Sequence, residues 1–405
     1  MIWCALDALI LLLFITNMMC VACYSTNTVG DDTETMMTMI SIVRNENGRG
    51  FDKSIVNEHS ESFIGDNSYN NQVLSPSLMG HNVTYYVPVS EVYALKTMYD
   101  ALDGKDWYWQ SPFFGNAWMF DDAMTTINPC TDSWQGITCD CTLLNGSACH
   151  ITEIDLSSYG LDGYLSDMSN LTTMVRLNLG NNFQLRGDLS PLSNMIALVD
   201  LNLDNTAITG DLSPLSNMIA LVDLYLDNTV ITGDLSPLSS MIALGYLNLD
   251  NTAITGDLSP LSSMIALEVL DLGNTAITGD LSPLSNMIAL GYLYLDNTAI
   301  TGDLSPLSNM IALYFLDLHN AAITGDLSPL SNMTALGYLY LDNTAITGDL
   351  SSLSIMIALV DLDLRNTAIT GDLSPLSNTI ALYFLDLGNT AITGDLSPLS
   401  HMIAL

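Results

Sequence analysis

The chain has 405 residues, 44 of them Asp or Glu and only 8 Lys or Arg, for a formal charge of −36. Nucleic acid and anionic membranes need a basic footprint, so charge excludes both as partners. An apolar content of 49% is ample for a core and excludes wholesale disorder.

The opening MIWCALDALILLLFITNMMCVAC reads as a secretory signal over residues 1–23. Its apolar run, Ala8–Ile15, has the length of a signal core and is too short to span a bilayer. Asp7 and the lack of a basic residue near Met1 depart from the usual signal pattern; cleavage is expected after Ala22 or Cys23, and an uncleaved anchor is the rival reading. No later segment reaches spanning length, so the mature chain is expected to be soluble and extracellular, with no membrane segment. Residues 24–87 are rich in Thr, Asn, Ser, Asp and Met, show no sustained period, and read as a disordered leader.

Residues 88–150 read as a cap. Ser90 can cap a helix starting at Glu91, along which Val92, Leu95, Met98, Ala101 and Leu102 recur at helical spacing until Gly104 ends it. Trp107, Trp109 and Trp118 follow. Cys130, Cys139, Cys141 and Cys149 then form one tight group. In a secreted chain four close cysteines read as two disulfides, with three connectivities open. Zinc ligation needs two separated pairs, and the CDC spacing is too tight for it.

YDALDGKDWYW, followed by Pro129, Cys130, Trp134, Gly136, Ile137, Thr138 and Cys139, resembles the N-terminal cap of plant-type leucine-rich-repeat proteins. The resemblance implies a Cys130–Cys139 bridge. Cys141 and Cys149 have no counterpart in that pattern, and their pairing follows only by elimination. Such a cap has a physical purpose, because the first unit of a solenoid has no neighbour over its apolar face.

From residue 151 to 405 the chain is repetitive. A divergent unit spans 151–173, a 24-residue unit spans 174–197, and nine near-copies of 23 residues run from Leu198 to Ala404. That makes eleven repeats, the mark of a stacked solenoid. Counting Leu198 as position 1, leucine holds positions 1, 4 and 6 and isoleucine position 11. This is the leucine-rich-repeat pattern, with threonine where asparagine is usual. The I-T-G segment resembles plant-type repeats and D-L-S-P-L resembles bacterial internalin-type repeats. The expected fold is α/β: a curved leucine-rich-repeat rod with a parallel sheet on its concave face and short 3₁₀ turns on its convex face. Thr206 and its equivalents at position 9 are expected to satisfy backbone groups inside the stack. Gly210 and its equivalents allow a sharp bend, and Ser213-Pro214 reads as the start of a 3₁₀ turn. One copy has Ser352 in place of that proline.

The copies differ mainly at positions 2, 3, 5 and 7, plus position 20 on the opposite side, and strand alternation points positions 3 and 5 outward. Position 3 reads Asp200, Asp223, Tyr246, Val269, Tyr292, Phe315, Tyr338, Asp361 and Phe384. Position 5 reads Asn202, Tyr225, Asn248, Asp271, Tyr294, Asp317, Tyr340, Asp363 and Asp386. The four positions carry ten aromatics and thirteen acids across nine repeats, a composition that favours diversified binding over neutral drift. Tyr292, Tyr294, Tyr314, Phe315, Tyr338 and Tyr340 fall on three adjacent repeats with His319 beside them, and mark the expected centre of the site.

Two invariant columns support a second reading. Asp211, Asp234 and their equivalents at position 14 can accept backbone N–H bonds in the following turn, and a calcium ladder is the functional rival. Thr209, Thr232 and their equivalents at position 12 make a hydroxyl row that resembles ice-binding surfaces. Sequons stand at Asn82, Asn145, Asn170 and Asn332.

The function expected is therefore non-enzymatic: extracellular recognition of a protein or glycan ligand bearing basic groups, on the concave face. The alternative is a structural or physicochemical surface role, in ice binding or calcium-linked assembly. The few histidines show no pairing with a nucleophile and no metal-ligand spacing, so no catalytic residue, metal or cofactor is expected. The chain stops at Leu405, the first residue of a further unit. A longer, cell-surface parent chain or self-association at an uncapped end are both expectations there.

Overall fold

The structure is a computed structural model that describes residues 86–121, 124, 127–143 and 148–400. The signal segment, the leader up to residue 85, Asn82, Asn145 and Leu405 lie outside the described residues.

Each repeat feeds two parallel sheets. One strand per repeat enters a twelve-stranded sheet, and a second enters an eleven-stranded sheet, both in chain order. In the third 23-residue copy these strands are Tyr246–Asn248 and Ala253–Asp257, followed by a 3₁₀ turn at Ser259–Leu261. Leu247 pairs with Leu224 on one side and Leu270 on the other, so the register advances by one whole repeat. Equivalent side chains therefore stack in columns roughly 4.8 Å apart.

The interior of a repeat is seven aliphatic side chains. In that copy Leu244, Leu247, Leu249, Ile254, Leu258, Leu261 and Met264 are all fully buried. Each contributes roughly 1.5–3 kcal/mol of burial, but only with a stacked neighbour to cover it.

The turn after the first strand is built by side chains that return to the backbone. The Thr206 hydroxyl donates to the Leu203 carbonyl at 2.7 Å, as expected of position 9, and Thr229, Thr252 and Thr275 repeat the bond. Position 8 is asparagine in every copy, with φ between 52 and 58°. Asparagine tolerates this left-handed conformation better than most residues. Its amides also form a ladder, for example Asn320 Nδ2 to Asn297 Oδ1 at 2.7 Å. Gly256 supplies the later bend at φ 88°, where a Cβ would lie 3.0 Å from the Cβ of Asp234 in the preceding repeat.

The 3₁₀ turns form where expected, but the capping group differs. The Ser213 side chain does not cap. Instead, Asp211 Oδ1 accepts the Ser213 N–H at 2.9 Å, and Asp234, Asp257 and Asp280 do the same in their copies. In the proline-free copy Asp349 caps the turn Leu350–Leu353.

The cap helix α1 runs from Val89 to Ala101 with Pro88 at its N-cap, so Ser90 lies inside the first turn and does not cap it. Proline's fixed φ suits a helix start. At the other end Asp103, not Gly104, adopts the left-handed conformation. Glu91 is buried and ties α1 to the first repeat, accepting from Ile151 N at 2.9 Å and pairing with His150 Nδ1 at 2.7 Å. Trp107, Trp118 and Trp134 are buried together, with Trp118 and Trp134 stacked at 5.6 Å. Both disulfides, Cys130–Cys139 and Cys141–Cys149, are present. Strand β1 (Ile137–Asp140) pairs antiparallel with β2 (His150–Asp155) and forms the first strand of the twelve-stranded sheet.

Candidate ligand-binding face

The outward positions of the twelve-stranded sheet form continuous columns, as the register requires. Tyr292 pairs with Phe315 and Phe315 with Tyr338; Tyr294 pairs with Asp317 and Asp317 with Tyr340. The structure brings the predicted aromatic patch together. Tyr294 and Phe315 lie at 4.5 Å between ring centroids, Phe315 stacks on Tyr338 at 5.3 Å, and Tyr314 meets Tyr338 edge-on at 5.5 Å. A second, smaller pair is Tyr225 with Tyr246 at 4.4 Å.

Outward pointing does not mean exposed here. Neighbouring repeats are so close that their side chains cover one another. Tyr294 and Phe315 are 2% and 6% exposed, and Val269 is buried as well. Tyr292, Tyr314, Tyr338 and Tyr340 are half-buried and form the accessible part of the patch. Asp200, Asp223, Tyr225, Tyr246 and Asp361 are likewise half-buried, whereas Phe384 is exposed.

Position 5 has a structural occupation that the sequence reading missed. Where it is Asp or Asn, the side chain accepts the backbone N–H two residues on. Asn202 accepts from Asp204 at 2.9 Å, Asn248 from Asp250 at 3.0 Å and Asp271 from Gly273 at 3.1 Å. Asp317, Asp363 and Asp386 do the same. This turn-forming bond explains Asp or Asn there without a ligand. Only Tyr225, Tyr294 and Tyr340 at position 5 depart from it.

At position 7 the sequence reading marked the acids but not their burial. Asp227, Asp250, Asp296 and Asp342 are buried in one column. Burial, with the charges of Asp204 and Asp250, pushes the Asp227 carboxyl up to about 7. Asn228 and Asn274 amides partly relieve the column; Asn274 Nδ2 lies 2.9 Å from Asp250 Oδ1 and 3.4 Å from Asp296 Oδ2. The column's basic members are His319 and Arg365. Arg365 lies 3.2 Å from Asp342 and 3.4 Å from Asp363. Burial pushes Asp363 up, to about 6, with Arg365 opposing. For His319, burial acts to lower the pKa, but the Asp317 hydrogen bond and the Asp317, Asp296 and Asp342 charges outweigh it, and the net shift is upward. His319 is thus no isolated surface histidine. A histidine at position 7, with Asp at position 5 of its own repeat and at position 7 of the one before, was the available signal.

Both invariant columns have local partners. The position-14 carboxylates cap the turns, and the Ser213 backbone bond holds Asp211 below its usual range. The position-12 hydroxyls donate to the glycine carbonyl of the preceding repeat, as Thr255 does to Gly233 at 3.0 Å and Thr301 to Gly279 at 2.9 Å. Asn170 and Asn332 are exposed.

Paired parallel sheets, one 3₁₀ turn per 23-residue near-copy and a disulfide-bonded helical cap define a leucine-rich-repeat solenoid. No protein-family model and no curated protein matches the chain. Solved structures do. The ectodomain of the Arabidopsis thaliana membrane receptor kinase GASSHO1/SCHENGEN3, in complex with Casparian strip integrity factor 2, is 26% identical with a TM-score of 0.63. The match covers 76% of this chain and 36% of that one. The Arabidopsis receptor kinase HAESA, in complex with the peptide hormone IDA and the co-receptor SERK1, is 23% identical with a TM-score of 0.62, over 75% and 54% of the two chains. An internalin of Listeria monocytogenes, inlF, is 28% identical with a TM-score of 0.44, over 60% and 84%. The chain thus spans about half or less of the plant ectodomains it matches.

Proposed function

We propose that this chain is a non-enzymatic extracellular recognition module whose twelve-stranded face binds a peptide, protein or glycan carrying Lys, Arg or another basic group. The observation that carries this reading is the half-buried cluster of Tyr292, Tyr314, Tyr338 and Tyr340, seated on the buried pair Tyr294 and Phe315. Tyrosines whose rings are braced by neighbours lose little entropy on binding and offer both apolar area and hydroxyls. Carboxylates surround them and would favour a cationic partner. The two disulfides fit an oxidising, extracellular compartment. The likeness to the GASSHO1/SCHENGEN3 ectodomain, itself bound to Casparian strip integrity factor 2, supports a peptide or protein as the ligand.

The test is selection of ligands from a random peptide display library on the immobilised chain. Enrichment of Lys- or Arg-bearing sequences, lost on a variant with the four tyrosines replaced, is the expected result. Absence of enrichment, or enrichment equal on both proteins, contradicts the proposal.

A further inference from the structure

We propose that His319 and Asp296, with Asp317 orienting the imidazole, form a binding site for one borderline divalent transition ion, of which Zn²⁺ is the type. One donor atom from each of the three side chains lies within 4.8 Å of the other two. The donors come from two adjacent repeats, so only the stacked fold brings them together.

The donor set decides the class of ion. Calcium and magnesium take oxygen ligands, whereas an imidazole nitrogen beside carboxylates suits zinc and its first-row neighbours. Asp296 and Asp317 are each 1% exposed, and the His319 ring closes the group from the solvent side.

The geometry fixes which nitrogen is used. His319 Nδ1 lies 2.7 Å from Asp317 Oδ1, and the same carboxylate oxygen accepts the His319 backbone N–H at 3.1 Å. Asp317 thereby orients the ring and keeps the proton on Nδ1. Nε2 is left with its lone pair, as in the carboxylate–histidine–zinc arrangement. Nε2 lies 3.8 Å from Asp296 Oδ2, a gap that one ion with bonds of roughly 2.0–2.1 Å can bridge. Asn297 Nδ2 lies 3.2 Å from Nε2 and is the donor an ion would displace. Asp342, buried one repeat further on, adds negative charge to the surroundings. Histidine occurs at position 7 in this copy alone, and among the described residues this is the one such grouping.

The site does not depend on the recognition reading, and its test uses the metal alone. Equilibrium dialysis of the full chain against Zn²⁺ should show an equivalent of bound metal that His319→Ala and Asp296→Asn abolish. Asp317→Asn should weaken that equivalent about 10- to 100-fold, and Asn297→Ala should bind at least as tightly as the parent. Wild-type protein that takes up no stoichiometric Zn²⁺, or His319→Ala protein that retains the same equivalent, overturns the proposal. A second measurement needs no variant: Co²⁺ added to the wild-type chain should broaden the His319 ring resonances first. Broadening centred on His150, or on no histidine, contradicts the assignment.

Discussion

Asp257 Oδ1 accepts the backbone N–H of Ser259 at 2.9 Å, and this one bond starts the 3₁₀ turn of its repeat. The same pair recurs as Asp211 with Ser213 and Asp303 with Ser305. The invariance of position 14 is thereby explained by the backbone it serves. Asp257→Ala should cost roughly 0.5–2 kcal/mol, the ordinary loss for a cap of this kind. Asp257→Asn should recover most of it, because the amide oxygen can accept the same bond. Urea unfolding of the two variants checks this, and equal destabilisation by both would show that charge, not capping, sets the residue.

Thr252 is a buried counterpart. Its hydroxyl donates to the Leu249 carbonyl at 2.7 Å. Thr252→Val keeps the shape and removes the donor, leaving a buried carbonyl short of a partner, at a cost of about 1–3 kcal/mol. Ala321 fills this position in one copy, where its own backbone N–H reaches the Leu318 carbonyl at 3.1 Å. Ala321→Thr should therefore be neutral or stabilising in the same unfolding assay.

The buried acid column makes stability depend on pH in a definite direction. Burial first, then Asp204 and Asp250, raise the Asp227 carboxyl from 3.8 to about 7. Between these values the folded chain holds a proton that the unfolded chain has released, so stability falls as pH rises through the window. Asp227→Asn removes the penalty and keeps an acceptor for Asn228, which now lies 2.9 Å from Asp227 Oδ2. The variant should be more stable than wild type by roughly 4 kcal/mol at pH 8. The gap should close below pH 4. Denaturation midpoints of both proteins across pH 4–8 provide the check.

The disulfide-bonded cap should matter beyond its own residues, because Glu91 bridges it to the first repeat through Ile151 and His150. Glu91→Ala leaves the buried Ile151 N–H without its acceptor and should cost about 1–3 kcal/mol. Hydrogen exchange should localise the loss to Ile151 and neighbouring strands, with repeats beyond Leu244 little changed, as nearest-neighbour stacking requires.

The frame of the molecule was legible because the same 23 residues recur nine times. Leucines at 1, 4 and 6, Thr206 and Gly210 each have one role that every copy repeats. The Cys130–Cys139 bridge followed from the family resemblance, and Cys141–Cys149 by elimination. The face was less legible. Alternation shows that Tyr294 leaves the strand outward, but it does not show that Phe315, one repeat away, covers it. Nor does it show that Asp317 turns back to its own backbone. The capping residues were misassigned for a related reason. Ser90 and Ser213 have the right chemistry, yet Pro88 and Asp211 occupy the positions whose geometry serves the first N–H groups. The grouping of His319 with Asp296 joins residues 23 apart, a neighbour relation that becomes visible only when columns are read across repeats.

The central claim is that the accessible tyrosines of the twelve-stranded face select the ligand. The most direct measurement replaces them with residues that other copies already carry there: Tyr292→Asp, Tyr314→Val, Tyr338→Asp and Tyr340→Asn. The scaffold accommodates each of these side chains at the equivalent column position, so the fold should persist, as circular dichroism and hydrogen exchange can verify. Titration of a peptide selected on the wild-type chain should then show binding weakened at least 100-fold, the scale of losing two or more hot-spot contacts. A folded variant that binds the peptide with unchanged affinity would contradict the account.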